Sequence, residues 1–445
     1  MRKIVILSLI GLLTLTAGAG AAQLTFWTTE EQPARIAVQE RIAAKFEAAT
    51  GISVEVVPVT ESRLNERVTA AFAAGDLPDV IFHPINYTLG WAEAGVLDTW
   101  AATEVIEELG PETFGAGILE LAEFEGDWAA VPADGWTQLL LYRKDLFEAK
   151  GLEPPTTYEA ILKAARALHN PPEMYGFVAG TDPSQDYMMQ LFEHFALANG
   201  VQLLDDQGNL TLDTPQMVET LKFYNELAKL SPPGNLYWQH SRELYHAGRA
   251  AMIVWSPFIL DELAGLTDAA PVPADAGHYP GWLAEHTGFV TRVAGPHHPQ
   301  GAGWAQASFF GITVDADTEA AKAFVKFLLT DGYLDWLSMA PEGKFPVRRG
   351  TPDDPDRFVE GWAQLQVGVD RRAPLGQFYS DEVIQSIIEG LDTGDRWAFR
   401  QGEGALVTRL YGTRIMAELV RSYLDGERTA EETAQVLQER IQALR

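Results

Sequence analysis

The sequence contains few of the side-chain patterns with which proteins carry out covalent chemistry. It has no cysteine, which excludes disulfides, thiolate metal sites, iron–sulfur clusters and cysteine nucleophiles. The motifs G-x-x-x-x-G-K-[ST], G-x-G-x-x-G, G-x-S-x-G and H-E-x-x-H are all missing. The adjacent pair His297-His298 is flanked by prolines and is expected to be solvated rather than to bind metal. We therefore expect neither a metal ion nor a cofactor.

Paired carboxylates are the remaining route to catalysis that the sequence offers. Enzymes that cleave glycosidic bonds hold two Asp or Glu side chains around the scissile bond. Because the chain has 62 acidic residues, a pair can be chosen almost anywhere, and no local signature singles one out. A secreted carbohydrate-active enzyme is therefore only a distant alternative, which product formation from oligosaccharides would reveal.

The composition predicts a folded, acidic protein of two domains. Hydrophobic residues make up 47% of the 445 positions, enough for a large core that a chain of this length divides between two domains. The 62 acidic residues against 33 basic ones give a formal net charge of −29. This charge repels nucleic acids and anionic membranes, so neither is expected as a partner.

Residues 1–22 are predicted to be a secretory signal peptide. Arg2 and Lys3 precede an apolar run at 4–15, and small residues follow at 17–22. About 12 apolar residues are too few for the roughly 20 that span a bilayer. No cysteine follows the run, so no lipid anchor is expected. The mature chain is expected to be soluble and periplasmic.

After this segment, strand-like and helix-like patterns alternate. Strands are predicted at 24–27, 52–59 and 78–82. Of the helices between them, the first has Pro33 in its first turn and the second has Leu64 on its apolar face. Gly51 and Gly75 are expected to end these helices. Strand-helix alternation of this kind predicts a parallel sheet covered by helices on both faces.

Several motifs occur in an order that is similar to one protein family. They lie at residues 75–80 (GDLPDV), 142–147 (YRKDLF), 151–159 (GLEPPTTYE), 245–252 (YHAGRAAM) and 319–328. On these motifs the chain resembles the extracellular solute-binding proteins of ABC importers, in the carbohydrate-binding family that includes the maltodextrin-binding proteins. Two positions depart from the family pattern: Arg143 replaces a usual asparagine, and Ser256-Pro257-Phe258 replaces a glycine- and tryptophan-containing stretch.

The resemblance implies an α/β fold of the two-lobed, type II periplasmic-binding-protein class. The ligand cleft would lie between lobes joined by crossing hinge segments near 131–136, 303–307 and 345–349. Lobe 1 would comprise residues 23–132 plus 306–346, and lobe 2 residues 136–303 plus 350–445. Strand-to-helix loops would face the cleft, because ligands of open α/β sheets bind outside the carboxyl ends of strands.

A sugar cleft needs aromatic rings for the apolar C–H faces and polar groups for the hydroxyls. Mapped onto the family fold, the side chains expected to meet the ligand are Trp27, Glu30, Glu31, His83, Asn86, Asp134, Trp136, Asp186, Tyr187, Trp255, Trp282, Trp304 and Arg349.

The function implied by the resemblance is capture of a small carbohydrate by lobe closure, followed by delivery to the permease subunits of an ABC transporter. The protein is expected to act as a monomer and not as an enzyme. Two alternatives keep the fold. A glycerol phosphodiester would need an arginine cluster, for which the pairs 348–349 and 371–372 are the candidates, and a cationic solute would suit the acids and aromatics.

Overall fold

The computed structural model describes residues 23–267 and 281–445, so the predicted signal peptide lies outside the described residues. Within these two ranges, no helix has both the length and the hydropathy that crossing a bilayer requires. The strands are β1 Gln23–Thr28, β2 Ser53–Pro58, β3 Val80–Pro84, β4 Glu123–Phe124, β5 Asp127–Trp128, β6 Val131–Thr137, β7 Leu139–Arg143, β8 Met252–Trp255, β9 Thr287–Val290, β10 Val293–Gly295, β11 His298–Ala302, β12 Ala305–Ile312, β13 Gln366–Val367 and β14 Ala373–Pro374.

The helices follow the same chain order. They are α1 Pro33–Thr50, α2 Glu61–Ala74, α3 Ile85–Glu93, α4 Thr99–Leu109, α5 Ala116–Glu120, α6 Lys144–Lys150, α7 Tyr158–Leu168, α8 Asp186–Ala198, α9 Pro215–Lys229, α10 Trp238–His246, α11 Leu260–Leu263, α12 Trp282–His286, α13 Thr318–Leu328, α14 Tyr333–Leu337, α15 Arg357–Ala363, α16 Asp381–Thr393, α17 Gly404–Thr413, α18 Ile415–Leu424 and α19 Ala430–Gln442.

The first sheet combines early and late strands in the order β2-β1-β3-β12-β6. Strand β1 is parallel to β2 and β3, whereas β12 is antiparallel to β3 and β6. Pro33 begins α1, where its fixed φ and missing N–H are tolerated. Gly51 and Gly75 end α1 and α2 in the left-handed conformation. The predicted alternation is therefore confirmed. We call this sheet, with the helices packed on it, the first lobe.

The second sheet has the order β8-β7-β9, with β7 antiparallel to both neighbours. Residues 175–178 run alongside β8 through parallel bridges. Leu139 pairs with Trp255, and Arg143 pairs with Thr287 at the other end of β7. Because β7 follows β6 directly, Trp255 lies at the end of the sheet nearest the first lobe. We call this sheet and its helices the second lobe.

Two crossings between the lobes lie side by side. One is Gln138, between β6 and β7, and the other is Trp304, just before β12. The Gln138 N–H donates to the Trp304 carbonyl oxygen at 2.9 Å, and the Thr137 hydroxyl donates to the same oxygen at 3.0 Å. The first crossing thus follows the predicted segment 131–136, all of which belongs to β6, because β6 keeps its pairing with β12 through Thr137.

The third crossing lies later in the chain than residues 345–349. Phe345 forms a bridge with Gly135, and the Arg349 N–H donates to the Thr113 carbonyl at 2.7 Å, so this segment is part of the first lobe. Helix α15 also packs there, with the ring of Phe358 at 5.0 Å from that of Tyr333. The chain joins the second lobe near residue 370, beside Leu266.

The C-terminal helices divide between the lobes, although the resemblance implied packing on the second lobe throughout. Helix α16 packs behind β6, where Gly390 lies against Thr137. Helix α17 packs on α3, with Gly90 against Thr408. Helices α18 and α19 pack on α9 of the second lobe. The junction between α17 and α18 therefore links the two lobes.

Candidate functional site

Strands β6 and β12 form the floor of a cleft between the lobes. On β6, Gly135 and Thr137 pack against α16. Since side chains alternate along a strand, Asp134 and Trp136 point to the opposite face, away from α16. This face is bordered by the carboxyl ends of β1 and β3 in the first lobe and of β8 in the second. The cleft is therefore the place where most predicted ligand residues converge.

Glu30 and Asp134, both predicted to bind ligand, share one buried lysine. The Lys344 ammonium lies 2.5 Å from Glu30 Oε1 and 3.0 Å from Asp134 Oδ2. Arg35 approaches Glu30 at 2.6 Å, and the Trp336 indole N–H donates to Asp134 at 2.8 Å. Both carboxylates thus already have protein partners, and their contact with a ligand stays a prediction.

The shared lysine affects the two acids differently. Burial favours the neutral form of Glu30, but the charges of Lys344 and Arg35 outweigh it and lower the pKa from 4.5 to about 2. Burial also acts on Asp134, whose pKa is raised because Lys344 offsets only part of the effect. We assign the negative charge of the network to Glu30, since it has two cations as neighbours and Asp134 has one.

The floor has two aromatic layers. Trp136 is half-buried, and its ring centre lies 5.3 Å from that of Trp304, which is fully buried. The Arg396 guanidinium lies 4.4 Å from the Trp304 ring centre. It also contacts Glu193 Oε1 at 3.1 Å and Gln306 Oε1 at 2.9 Å. A ligand in the cleft would meet Trp136, with Trp304 supporting it from beneath.

Tyr187, Trp238 and Trp255 form what we call the aromatic wall of the second lobe. Trp255 ends β8 and stacks on Trp238, with ring centres 5.0 Å apart and planes at 18°. Tyr187 meets Trp255 edge-on at 5.7 Å and donates its hydroxyl to the Val254 carbonyl at 2.7 Å. The Trp255 indole N–H is buried without a hydrogen-bond partner among the described residues. An unpaired buried donor is unfavourable, and a ligand oxygen would relieve it.

Four polar side chains, which we call the polar quartet, come from both lobes. Glu61 begins α2, Tyr87 lies in the first turn of α3, Asp186 begins α8, and Arg414 joins α17 to α18. Crowding by neighbouring groups, followed by repulsion from Asp186, raises the pKa of Glu61 to about 7, although the residue is exposed to solvent. The Glu61 carboxylate is thus crowded within the cleft rather than enclosed in a core.

The other members of the quartet influence one another across the cleft. Burial, followed by the charges of Asp186 and Glu61, raises the pKa of Tyr87 to about 12, and Arg414 opposes this shift. Burial raises the pKa of Asp186, and Arg414 again acts in the opposite direction. These mutual influences indicate that the four groups, which come from both lobes, lie near one another.

Arg414 combines a strained backbone with a free cation. Its φ of 57° and ψ of 13° are left-handed, a conformation that is unfavourable for residues with a Cβ. In the described part of the chain, its guanidinium forms no hydrogen bond or ion pair. Strained residues concentrate at functional sites, where surrounding structure holds them in place.

Three further predicted residues lie near the carboxyl ends of β1 and β3. Glu31 is exposed and accepts a hydrogen bond from the Thr60 hydroxyl at 2.9 Å. Asn86 is buried in the first turn of α3. Trp27 lies beneath α2, with the Arg67 guanidinium 4.1 Å from its ring centre. Of the three, Glu31 is the most accessible to a ligand.

The structure places His83 inside the first lobe rather than on the cleft surface. Its ring is fully buried between those of Trp91, at 4.9 Å, and Phe309, at 6.2 Å. Burial lowers the pKa of His83 to about 4, so the ring is neutral at physiological pH. A ligand would have to displace α3 to reach it.

Trp282 and Arg349 also lie away from the cleft. Trp282 packs beside Arg143, whose guanidinium is 4.9 Å from the ring centre, at the end of the second sheet opposite Trp255. Arg349 pairs with Asp392 of α16, behind β6. The sequence pattern could not give either position, because both depend on strand register and on how the helices pack.

Sequence reasoning did not identify Glu61, Tyr87, Trp238 or Arg414. A signal existed for Glu61 and Tyr87, since each lies just after a strand of the first sheet, where ligands are expected. Trp238 and Arg414 follow no strand. Their positions depend on the packing of α10 against β8 and of α17 against α3.

Neither a metal site nor a second groove offers a better-supported site than the cleft. Among the described residues, no three His, Asp or Glu side chains lie together as a metal site would require. A groove of about 880 Å³ between α7 and α9 contains none of the predicted ligand residues. Its rim charges pair with each other, Lys222 with Glu431 at 2.7 Å and His297 with Glu219 at 2.8 Å. The cleft is the stronger candidate.

Comparison with known proteins identifies the class to which this fold and cleft belong. Residues 31–334 match the family model described as bacterial extracellular solute-binding protein, and the chain belongs to this family. The predicted family and two-lobed α/β fold are thus confirmed.

Sequence similarity to individual proteins supports the same family. The chain is 29% identical to the putative ABC transporter periplasmic-binding protein YcjN of Escherichia coli K12 over 360 residues, covering 78% of this chain and 79% of the relative. It is 24% identical to the maltotriose-binding protein of Pyrococcus abyssi, covering 73% of this chain and 69% of the relative.

Solved structures show the same fold at lower identity. A solute-binding protein of Thermotoga lettingae, bound to α-D-tagatose, has a TM-score of 0.72 and 22% identity, covering 95% of this chain and 99% of the other. Maltose-bound MalE3 of Thermotoga maritima has a TM-score of 0.73 and 20% identity, covering 96% and 100%.

Proposed function

We propose that this protein binds a sugar or short oligosaccharide between its lobes and delivers it unaltered to an ABC permease. The observation that carries the proposal is the aromatic wall, with an unpaired indole N–H, together with a polar quartet drawn from both lobes. Aromatic rings cover sugar C–H faces, and carboxylate, phenol and guanidinium groups hydrogen-bond to hydroxyls. The maltotriose-binding relative and the sugar-bound structural neighbours support the same ligand class.

Binding and closure are linked in this mechanism. A ligand that touches the aromatic wall and the first-lobe members of the quartet makes both sets of contacts only when the lobes are together. It therefore stabilises the closed form by its difference in affinity for the two forms. A permease that recognises the closed form would then receive loaded protein selectively, and the protein acts as a monomer without changing the ligand.

A phosphodiester ligand is less well supported than a sugar. Arg348 is buried and donates to the carbonyls of Leu329 at 2.6 Å and Leu109 at 2.9 Å. Arg349 pairs with Asp392, and Arg371 donates to the Gly265 carbonyl at 2.9 Å. These arginines are therefore occupied away from the cleft, whereas the cleft itself is rich in carboxylates.

The direct test is a thermal-shift screen of the mature protein with mono-, di- and trisaccharides, sn-glycerol phosphodiesters and polyamines. We expect one or more sugars to raise the melting temperature, because a ligand at one hundred times its Kd adds about 2.7 kcal/mol to the stability. Product analysis of the same mixtures should show intact sugar. Stabilisation by a phosphodiester or polyamine alone, or cleavage of the sugar, would replace the proposal with the corresponding alternative.

Arg414→Gly should make the protein more stable and a weaker binder. Glycine adopts φ near 57° without strain, so the free energy of unfolding should rise by about 1 kcal/mol. Loss of a charge-assisted hydrogen bond to the sugar should weaken binding by about tenfold or more. Urea denaturation and isothermal titration calorimetry measure the two effects separately.

Glu125→Gly is the matched control. Glu125 has a φ of 53° in the exposed turn between β4 and β5, far along the chain from the quartet residues. This variant should gain similar stability with unchanged affinity. If Arg414→Gly loses stability or binds the sugar as tightly as wild type, Arg414 is not a ligand residue held under strain.

A further inference from the structure

Phe258 and Gly343 form a contact between the two lobes, and neither is among the residues expected to bind ligand. Phe258 lies in the 3₁₀ turn Pro257–Ile259 that follows β8 in the second lobe. Gly343 is buried in the first lobe. A Cβ added to Gly343 would lie 2.2 Å from the Phe258 ring, so the ring lies directly against the glycine backbone. Only a residue without a side chain permits this approach.

Both partners are held firmly within their own lobes. Lys344, next to Gly343, is fixed by its buried ion pairs with Glu30 and Asp134. On the other side, the residues after Phe258 are buried, and the Tyr379 hydroxyl donates to the Leu260 carbonyl at 2.6 Å. Because neither partner can follow the other, separation of the lobes must break the contact.

Charges beside the contact oppose closure. Glu342 of the first lobe is 9% exposed and lies near Asp261 and Glu262 of the second lobe, with Arg35 as the nearby cation. Glu262 is itself paired with Arg242 and His246, each at 3.0 Å, and Asp261 accepts a hydrogen bond from Thr267 at 2.8 Å.

This arrangement links closure to proton uptake. Burial, followed by the charge of Asp261, raises the pKa of Glu342 to about 8. In the open form Glu342 loses both influences, and its pKa returns toward the ordinary value of 4.5. Closing therefore takes up a proton, and closure weakens as the pH rises through about 8.

We propose that Phe258 and Gly343 form an interlobe latch, opposed by Glu342, which sets the population of the closed form and thereby the ligand affinity. The latch rests on the proposed binding between the lobes but contains no residue assigned to the ligand. Apolar contact and close packing at Gly343 favour closure, while the proton that Glu342 must take up beside Asp261 limits it.

The test measures interlobe distance without ligand. Because the chain has no cysteine, spin labels can be placed at Glu66→Cys in α2 and Glu173→Cys in the second lobe, both at exposed positions. In pulsed EPR of the labelled mature protein, we expect a minor short-distance population. Phe258→Ala and Gly343→Val should remove this population, and Glu342→Gln should enlarge it.

With the sugar selected by the thermal-shift screen, Phe258→Ala and Gly343→Val should weaken binding by about tenfold, because apparent affinity scales with the closed fraction. Glu342→Gln should strengthen binding and flatten its dependence on pH between 6 and 9. Circular dichroism verifies folding, and Phe258→Ala, which adds no atoms, remains informative if Gly343→Val misfolds.

Two outcomes separate the latch from the proposed function. Identical distance distributions in the wild type and all three variants would overturn the latch, whatever the sugar screen shows. Failure of the wild type to bind any sugar would overturn the proposed function while leaving the EPR comparison interpretable.

Discussion

The Trp304→Ala variant should unfold far more readily than the wild-type protein. The Trp255→Ala variant should keep its stability and bind sugar more weakly. Trp304 is fully buried between Trp136 and Arg396, so its truncation leaves a large cavity and should cost about 3–5 kcal/mol of stability. The sequence analysis expected Trp304, like Trp255, to meet the ligand, because the sequence does not reveal that the Trp304 ring is enclosed.

Trp255 is half-buried on the aromatic wall, and loss of its ring should cost about 2 kcal/mol of binding, or about thirtyfold in Kd. Trp255→Phe, which keeps a ring but not the N–H, should fall between wild type and Trp255→Ala. Urea denaturation and calorimetric titration of the variants distinguish the two effects. Equal affinity in Trp255→Ala and wild type would move the ligand away from the aromatic wall.

Lys344→Met should destabilise the first lobe by about 3–5 kcal/mol, as removal of one partner from a buried ion-pair network does. The Lys344 side chain is 2% exposed, and its ammonium contacts both Glu30 and Asp134. Without it, these acids would be left with one arginine and one indole as partners. The free energy of unfolding, measured in urea at pH 7, reports this loss.

A matched surface control for that substitution is Lys45→Met. Lys45 pairs with Asp335, but its side chain is 55% exposed. Exposed ion pairs contribute about 0–1 kcal/mol, so this variant should stay close to wild type. Comparable losses in the two variants would mean that burial of the Lys344 network is not what makes it stabilising.

The same network should make the protein sensitive to acid. The pKa of Glu30 is lowered from 4.5 to about 2 in the folded chain, so its ionised form stabilises the fold at pH values above 4.5. This contribution, about 3 kcal/mol, should disappear as the pH falls from 4.5 to 2. Glu30→Gln should show a shallower loss of stability over that range in acid titrations followed by circular dichroism. An unchanged slope would contradict the assignment of the charge to Glu30.

The architecture could largely be predicted from local patterns. Alternating apolar periods, Pro33 at a helix start and Gly51 and Gly75 at helix ends define the first strands and helices, because these features depend on neighbours within a few residues. The ordered motifs at 75–80, 142–147 and 245–252 then indicated the family, and with it two lobes around a cleft.

Which side chains form the candidate site could be determined only from the tertiary structure. The sequence presents Glu30, Asp134, Trp255 and Trp282 as equally suitable polar or aromatic groups. Only packing decides that Lys344 occupies the two carboxylates. Packing also places Trp255 at one end of the second sheet and Trp282 on Arg143 at the other end.

Arg414 is another residue whose place in the site the sequence could not predict and the tertiary structure shows. Nothing in its neighbouring sequence distinguishes it from other surface arginines, but the junction of α17 and α18 places it between groups of both lobes in a left-handed conformation. The sequence by itself determined the elements, the family and the residue types available to a ligand. The tertiary structure decided which of those side chains remain free to bind, because that choice depends on contacts between residues hundreds of positions apart.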